Sequence, residues 1–333
     1  MILYDARWIG DHGIGRFARE VMDRLPDIEA VRGSIAPLSP LDPLYTSWII
    51  RKKKPAVFFS PGYNPPLYSF SPFIFTIYDL IQINVPSNRS LMKSTYFKYI
   101  VHPACHRAFR ILTTSEFSRI SIIKWSHVSQ DKVINVGCGV SDEYRPEGPR
   151  YEPGYPYLLY IGNRKPHKNI PGLLEAFMLS GINDEIKLIL SGEPDRATID
   201  LIRKNRLQNS VVFAGIIPER TLPQYYRGAE ALVLPSKYEG FGLPVLEAMA
   251  CGTPVVTSNR TSLPEVAGPA TLLIDPDKSD EIASAIHRVV NDSSLRERMR
   301  KQGIEQAKKF SWDKTAASVK SVLEEALQNS NKH

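Results

Sequence analysis

Short apolar strands alternate with amphipathic helices along almost the whole chain, and this alternation is interrupted once. The interruption, residues 141–156, is dense in Pro, Gly and charge and lacks hydrophobic periodicity, which is typical of a linker. Strand–helix–strand alternation requires parallel strands joined by helical crossovers. Because it occurs on both sides of the linker, the sequence predicts an α/β protein with two Rossmann-like parallel-sheet domains facing across a cleft.

The length of 333 residues is comfortable for two such domains. We place the boundary in the linker, with a first domain over 1–150 and a second from 151 onwards. Ligands of parallel-sheet folds bind beyond the carboxyl ends of the strands. The cleft between the two domains is therefore the expected ligand site.

The net charge of +7 is concentrated in the first half, where residues 1–150 hold 19 Lys and Arg against 13 Asp and Glu. A basic half suits nucleic acid, anionic lipid or a phosphorylated acceptor. Residues 47–59 combine Trp and Ile with four cations, which fits an anionic membrane surface or simply a basic turn before a strand. Nucleic acid is disfavoured because none of the usual binding motifs occurs.

We recognise neither a membrane-spanning run nor a secretory leader in the sequence. No apolar run approaches the roughly 20 residues that span a bilayer, and the first residues read as a strand rather than a secretory leader. Its three cysteines, Cys105, Cys138 and Cys251, have no metal-ligand spacing and suit a reducing, cytoplasmic compartment.

The stretch over 230–252 carries the strongest local signal. A buried strand ends at Pro235, and a helix begins near Pro244, so residues 236–243 form a strand-to-helix loop. Glycines there allow close backbone approach to a ligand, and the free amides at the helix start attract phosphate. Glu239 lies in this loop and Glu247 one turn into the helix, where carboxylates can accept from sugar hydroxyls. The alternative is a surface Glu in an ordinary βα unit.

A second loop follows the strand that ends at Gly162. Arg164, Lys165 and Lys168 bring three cations to a strand's carboxyl end, an arrangement that suits a multiply charged anion. A solvated run of charges would have the same composition.

Weaker candidates lie in the first half. Gly13 and Gly15 form a glycine turn that feeds a helix, but the spacing is too short for the dinucleotide fingerprint, so NAD binding has little support. Tyr78 and Asp79 end a strand and are candidates for contact with substrate or for a structural role.

No cluster in the sequence has metal-ligand spacing, and we expect no metal. The pair Asp275 and Asp277 is interpreted as a strand-end turn and helix cap rather than a divalent-cation site.

The motifs together strongly resemble the retaining Leloir glycosyltransferases of family four. The resemblance is nearly continuous over the second half and scattered in the first, and it rests on residues 235–256, 262–268, 310–312, 160–169 and 113–119. It implies a GT-B fold with an acceptor domain over 1–150, a nucleotide-sugar domain over 151–312, and a final helix over 313–333 that crosses back to the first domain. It also implies transfer with retention of anomeric configuration and without a metal or other cofactor.

The resemblance implies roles for individual residues. Glu239 would contact the donor sugar, Glu247 the ribose, and Lys168 the diphosphate, with the base near Gly215. The backbone groups implied to hold the sugar and diphosphate are those of Gly13, Gly15, Phe241, Gly242 and Leu243.

Two positions depart from the family pattern. Asn163 stands where the family has Arg, so Arg164 is the candidate for that charge. Tyr78 stands where the family commonly has His, and a phenol is not cationic near neutral pH.

The resulting expectation is a hexosyltransferase that moves mannose from GDP-mannose to a glycan or lipid-linked acceptor in surface polysaccharide or lipopolysaccharide synthesis. It would work in the cytoplasm or peripherally at the inner face of the cell membrane. Two alternatives stay open, a nucleotide-sugar epimerase or hydrolase of the same fold, and a non-catalytic nucleotide-sugar-binding protein.

Overall fold

In the computed structural model, residues 1–33, 35–37, 39–86 and 91–330 are described. Within these ranges the chain divides into two compact units, one formed by Met1–Gly139 together with the chain from Ser311, the other by Val140–Phe310. The twelve strands found there form two six-stranded sheets in which every strand pair is parallel.

The first sheet has the strand order β2-β1-β3-β4-β5-β6. Its strands are β1 (Ile2–Asp5), β2 (Ile28–Val31), β3 (Val57–Ser60), β4 (Phe73–Thr76), β5 (Arg110–Thr113) and β6 (Val133–Asn135). The helices of this unit are α1 (Gly13–Met22), α2 (Asp42–Lys53), α3 (Ile81–Asn84), α4 (Leu91–Tyr96), α5 (His102–Arg107), α6 (Glu116–Ser126) and, at the end of the chain, α14 (Trp312–Ser330). A π-helical turn, Phe97–Val101, joins α4 to α5.

The second sheet has the strand order β12-β11-β10-β7-β8-β9. Its strands are β7 (Tyr157–Tyr160), β8 (Lys187–Leu190), β9 (Val211–Phe213), β10 (Ala231–Leu234), β11 (Val255–Ser258) and β12 (Leu272–Ile274). Its helices are α7 (Ile170–Leu179), α8 (Arg196–Lys204), α9 (Leu222–Gly228), α10 (Leu243–Ala250), α11 (Leu263–Ala267), α12 (Ser279–Asn291) and α13 (Ser293–Ala307). The central strands β7, β10 and β11 are buried along their whole length, which explains their continuous apolar sequences.

The final helix α14 belongs to the first unit, where it packs on α1 and β3. Trp312 is buried at its start, with its ring edge-on to Phe17 at 6.2 Å between centroids. The chain passes so close to Gly139 that a Cβ there would lie 2.1 Å from the Trp312 amide nitrogen. Glycine is therefore required at residue 139, where the first segment of this unit contacts the start of α14.

The Pro-rich segment 141–156 contains no helix or strand, as its composition predicts, but it is fixed to the second unit. The Arg227 guanidinium donates to the carbonyls of Pro149 (2.7 Å), Arg145 (3.2 Å) and Glu143 (3.3 Å). Tyr144 is buried beside Tyr226. Because of these contacts the division between units falls after Gly139 rather than at residue 150.

Residues 47–59 differ from the sequence expectation. Trp48 to Lys53 form the second half of α2, which ends at Lys54 in a left-handed conformation (φ 48°). Ile49 and Ile50 are buried in the core, whereas Trp48 is 54% exposed. The two isoleucines are therefore not part of an apolar surface, and the segment is a helix end rather than a turn.

Each sheet has one point at which the strand order reverses, and ligands of parallel sheets bind at the carboxyl ends of such strands. In the first sheet it lies between β1 and β3, and in the second between β7 and β10. The loops that follow β7 and β10 contain Lys168 and Glu239, so the topology brings the two strongest sequence motifs to the same edge of one sheet.

Candidate active site

An ion pair between Lys168 and Glu239 lies at the centre of this edge. The Lys168 Nζ is 2.6 Å from the Glu239 Oε1, and each side chain is 12% exposed. Lys168 ends a single 3-10 turn, Pro166–Lys168, after β7, and Glu239 lies in the loop after β10. The structure thus brings together the two residues that the sequence analysis assigned to the diphosphate and the sugar.

Neighbouring hydroxyls fix the Glu239 loop. The Glu239 amide donates to Thr261 Oγ1 at 3.1 Å, and Ser262 Oγ donates to the carbonyls of Glu239 and Phe241, each at 3.0 Å. Thr261 itself has a left-handed backbone (φ 58°). The role of these hydroxyls was not predicted, because Thr261 and Ser262 lie more than twenty residues further along the chain.

Gly242 caps the start of α10 with φ 102°, a conformation that L side chains rarely adopt. A Cβ at this position would also lie 2.7 Å from Leu263 Cδ2. Glycine therefore allows the loop to turn directly into the helix, so that the backbone of Phe241, Gly242 and Leu243 lies at the positive end of the helix dipole.

Glu247, one turn further along α10, is only 3% exposed. Its Oε2 accepts a hydrogen bond of 2.8 Å from the Tyr226 hydroxyl. Burial, and then the Glu247 charge, raise the pKa of Tyr226 well above its ordinary value, so the phenol stays a donor. Tyr226, which the sequence analysis did not identify, orients the carboxylate expected to meet the ribose.

Arg164 donates to backbone carbonyls and forms an ion pair with Asp195, with 3.4 Å between its Nε and Asp195 Oδ2. Its Nη1 donates to the Glu193 carbonyl at 2.7 Å, and its Nη2 to those of Ser191 (2.9 Å) and Gly192 (3.1 Å). The guanidinium also lies over the Phe213 ring at 5.1 Å. These contacts tie the loop after β7 to the ends of β8 and β9, while the positive charge stays at the carboxyl edge.

Asn163 has a local structural use. Its Oδ1 accepts from the Lys165 amide at 3.1 Å, and its carbonyl accepts from the Tyr160 hydroxyl at 2.6 Å. The side chain thus shapes the turn that leads to Lys168. Burial, followed by the nearby Glu239 charge, raises the pKa of Tyr160.

His167, directly before Lys168, does not add to the positive charge of this loop. Burial and the neighbouring Lys168 charge lower its pKa to about 4. Its carbonyl accepts from the Lys237 amide at 2.7 Å, which links the loops that follow β7 and β10.

Gly215 follows β9 in a left-handed conformation (φ 65°) and forms an isolated bridge with Gly192. The Gly192 amide donates to the Gly215 carbonyl at 2.7 Å. The predicted base-binding position is therefore a fixed backbone turn beside the loop that Arg164 holds.

The glycine turn of the first unit is also tightly built. Gly13 starts α1, and His12 caps the helix by accepting the Gly15 amide on its Nδ1 at 2.9 Å. A Cβ at Gly15 would lie 2.2 Å from the Gly10 carbonyl oxygen. Glycine at this position is thus already required by packing within the turn.

Tyr78 and Asp79 both have internal partners. The Tyr78 hydroxyl donates to the Pro61 carbonyl at 2.6 Å, and burial raises its pKa well above the ordinary value. Asp79 Oδ1 accepts from the Ile81 amide at 2.9 Å at the start of α3. These contacts give each residue a structural role, and the predicted substrate contact stays a prediction.

A buried charge network lies at the carboxyl ends of β1 and β3 and was missed from the sequence. Arg7 pairs with Asp5 and Asp42, each at 2.6 Å, and all three side chains are almost completely buried. Asn64 Nδ2 donates to the same two carboxylates at 3.0 and 2.7 Å, and the Trp8 indole donates to Asn64 Oδ1 at 2.6 Å. The network ties the first βα loop to α2.

Among residues 1–33, 35–37, 39–86 and 91–330 there is no group of three or more His, Cys, Asp or Glu side chains placed to hold a metal ion. Asp275 and Asp277 instead pair with Arg260 at 2.8 and 2.7 Å. No helix in the same part of the chain has the length and apolar character needed to cross a bilayer.

Similarity to known proteins defines the family of this chain. The family model for glycosyl transferases group 1 matches residues 142–306. A curated relative, O-antigen chain mannosyltransferase B of Escherichia coli, is 35% identical over 82% of this chain and 75% of its own length. The chain belongs to the group 1 glycosyltransferases and is itself a transferase.

Solved structures agree on the fold. Sucrose-phosphate synthase from Thermosynechococcus elongatus superposes with a TM-score of 0.81 at 19% identity, covering 98% of this chain and 99% of the other. HepE from Anabaena, in complex with UDP and glucose, gives a TM-score of 0.79 at 16% identity, covering 97% and 99%. The predicted GT-B fold, with one parallel sheet in each unit, is therefore confirmed.

Proposed function

We propose that the protein transfers mannose from GDP-mannose to a hydroxyl of a glycan or lipid-linked acceptor, with retention of anomeric configuration, in the synthesis of a surface polysaccharide such as a lipopolysaccharide. The Lys168–Glu239 pair at the strand-order reversal carries the catalytic part of this proposal. The 35% identity to an O-antigen mannosyltransferase supports the choice of sugar and pathway class.

In the proposed reaction the donor replaces one ion pair by two new interactions. Lys168 turns from Glu239 to the diphosphate, and Glu239 is released toward the sugar. As the bond between the anomeric carbon and the diphosphate breaks, negative charge develops on the leaving phosphate. Fixed cations and amides that face such developing charge stabilise the transition state.

The acceptor oxygen attacks the anomeric carbon from the face that the diphosphate leaves, and its proton passes to a phosphate oxygen of the leaving group. The Glu239 carboxylate stabilises the positive charge on the sugar ring. The cations and helix amides supply the counter-charge for the leaving group, so the proposed reaction uses no metal or other cofactor.

Glu247 and Arg164 have supporting roles in this proposal. Glu247, oriented by Tyr226, accepts hydrogen bonds from the hydroxyls of the nucleotide ribose. Arg164, which pairs with Asp195, fixes the turn near Gly215, where the base would lie, and would add a cation at this edge.

A donor screen tests the nucleotide and sugar. Thermal melting with UDP-, GDP-, ADP- and dTDP-sugars should show the largest shift with GDP-mannose, and mannose should then appear in an acceptor with the anomeric configuration of the donor. A larger shift with another donor, or product of inverted configuration, would contradict the corresponding part of the proposal.

An epimerase or hydrolase on this fold would differ in one respect, because it would consume donor without any acceptor. GDP-mannose incubated with enzyme alone is therefore expected to stay largely unchanged over the time of full transfer to acceptor. Equal consumption in both reactions would favour the hydrolase or epimerase. Donor binding without consumption in either would favour a non-catalytic protein.

We also propose that residues 47–59, together with the adjoining loop, contact the anionic inner face of the cell membrane, where the enzyme would work peripherally from the cytoplasm. Leu44 and Trp48 are exposed one helical turn apart on α2, with Lys52 Nζ 5.0 Å from the Trp48 ring centre. Exposed Tyr68 and Phe70 lie in the loop that runs beside this helix. Aromatic residues with adjacent cations suit the interface of an anionic bilayer.

Vesicle sedimentation tests this surface. Binding to phosphatidylglycerol vesicles should exceed binding to phosphatidylcholine vesicles, and Trp48→Ala with Lys52→Gln should reduce it several-fold. The control, Ile120→Ala with Lys124→Gln, removes one exposed apolar side chain and one charge from α6 of the same unit. Equal loss in both variants would contradict a specific surface.

A further inference from the structure

A cavity of about 280 Å³ lies at the other end of the second sheet from Glu239. It borders Glu230 and Pro254, where β10 and β11 begin, whereas Glu239 follows the end of β10. Its wall carries four guanidinium groups, and we call it the arginine cavity; they belong to Arg150, Arg227, Arg296 and Arg300. None of its lining residues belongs to the candidate active site.

One of these four charges is paired within the chain. Arg296 Nε lies 3.3 Å from Glu230 Oε2. The other carboxylate of the wall, Glu297, lies 3.4 Å from Lys301, which is outside the cavity.

The other three arginines differ from Arg296 in this respect. Arg227 donates to three backbone carbonyls, which orient its guanidinium without neutralising it. No carboxylate of the described residues lies within the 4.0 Å of an ion pair from Arg150, Arg227 or Arg300. Four guanidinium groups and two carboxylates, those of Glu230 and Glu297, line the cavity, so its wall carries a net charge of +2.

Binding of an anion would reduce the repulsion among these guanidinium groups. Guanidinium groups match phosphate oxygens in a planar, bidentate geometry. We propose that the arginine cavity binds the phosphoryl group of a small soluble compound, such as phosphate, diphosphate or a phosphomonoester. The site is separate from the donor site and goes beyond the proposed transfer reaction.

The backbone around the cavity is suited to hold its shape. Gly252 lies on the wall with φ 73°, and a Cβ there would lie 3.4 Å from Arg300 Cγ. Met249 of α10 is packed against α13, the helix that carries Arg296 and Arg300. Arg227 is fixed by its hydrogen bonds to segment 141–156, so one side of the site is preorganised.

Titration calorimetry with inorganic phosphate and with diphosphate tests the proposal on the full chain at constant ionic strength. We expect saturable binding to the wild type and to Lys168→Met, in which the proposed donor site is impaired. Arg150→Gln with Arg300→Gln should weaken this binding at least tenfold. Arg298→Gln, which removes one charge from the same helix outside the cavity, should leave it within about twofold.

Thermal melting without anion checks that the double variant is folded, and if it is not, Arg150→Gln alone repeats the test because Arg150 is exposed. Absence of saturable binding to Lys168→Met would overturn the proposal, since all binding would then belong to the donor site. Equal weakening by Arg298→Gln would also overturn it, because the effect would be general charge attraction. Neither result bears on sugar transfer, which the donor screen tests separately.

Discussion

Each sheet has paired charged side chains at the edge where its strands have their carboxyl ends. The charges of the first sheet are buried, whereas those of the second are partly exposed. In the first unit, Arg7 and its two carboxylates are buried and surrounded by Asn64 and Trp8. In the second unit, Lys168 and Glu239 form a single pair that remains 12% exposed. A buried, fully bonded network fixes shape, whereas an accessible pair can exchange its partner for a ligand. The comparison indicates why the second edge is the better candidate for donor chemistry.

Removing Arg7 should give the largest effect on stability. Arg7→Met leaves Asp5 and Asp42 buried without their cation, and breaking such a pair typically costs about 3–5 kcal/mol. Chemical denaturation should show this loss. Arg24→Met, the control, breaks exposed pairs with Glu20 and Asp313 in the same unit and should cost about 1 kcal/mol or less. Similar losses in both variants would show that the buried network has no special structural role.

Removing Lys168 tests the partly exposed ion pair of the second unit. Lys168→Met should weaken GDP binding by about 1.5–3 kcal/mol, the range for a hydrogen bond to a charged group. Calorimetry measures this, with Lys165→Met as the control because Lys165 is exposed in the same loop. If the two variants bind GDP equally well, the position of Lys168 does not matter and only the charge of the loop does.

Gly242→Ala should distort the loop that presents Glu239. The left-handed backbone costs about 1–3 kcal/mol for a residue with a side chain, and the new Cβ would also contact Leu263. Gly181→Ala is matched, because Gly181 has φ 71° but no atom within 4 Å of a Cβ. Both variants should lose stability, but only Gly242→Ala should also lose sugar transfer. Loss of transfer in both would contradict a local role for Gly242.

Tyr226→Phe removes the hydroxyl that Glu247 accepts and keeps the ring. It should destabilise the protein by about 1.5–3 kcal/mol, the range for a hydrogen bond to a charged group, and raise the donor KM. Tyr157→Phe removes another buried phenol of this unit, one that donates to backbone carbonyls instead. A donor KM that rises equally in both variants would contradict the proposal that Tyr226 acts through Glu247.

The stability of the protein should also depend on pH through His167. The pKa of His167 is lowered to about 4, so the unfolded chain binds more protons than the folded one between pH 6.5 and 4. Stability should therefore fall as pH drops through this window, and His167→Asn should flatten that part of the profile. Denaturation at pH 7 and pH 5 measures both slopes. An unchanged slope would show that His167 does not titrate as its burial indicates.

Sequence patterning was sufficient for every strand except β2 and for the central site. The apolar runs that become β7, β10 and β11, and the glycine that starts α10, are local signals. β2 and α2 were not predicted. β2 is an edge strand with only partial burial, and α2 has apolar residues on both its buried and its exposed side.

The partners of the site residues could not be predicted because they depend on tertiary packing. Tyr226 lies 21 residues from Glu247, and Asp42 lies 35 from Arg7. Nothing in the local sequence of either carboxylate identifies these partners. Lys168 and Glu239 were found separately, each by its own motif, and only the sheet topology places them 2.6 Å apart.

The central claim is that the donor separates Lys168 from Glu239 and that the freed carboxylate acts on the sugar. Sugar transfer and GDP binding measured side by side in Glu239→Ala test it most directly. We expect transfer to fall at least 100-fold, in line with the loss of a transition-state contact, while GDP, which has no sugar, still binds as well as or better than it binds the wild type. Transfer at the wild-type rate, or loss of GDP binding together with transfer, would contradict it.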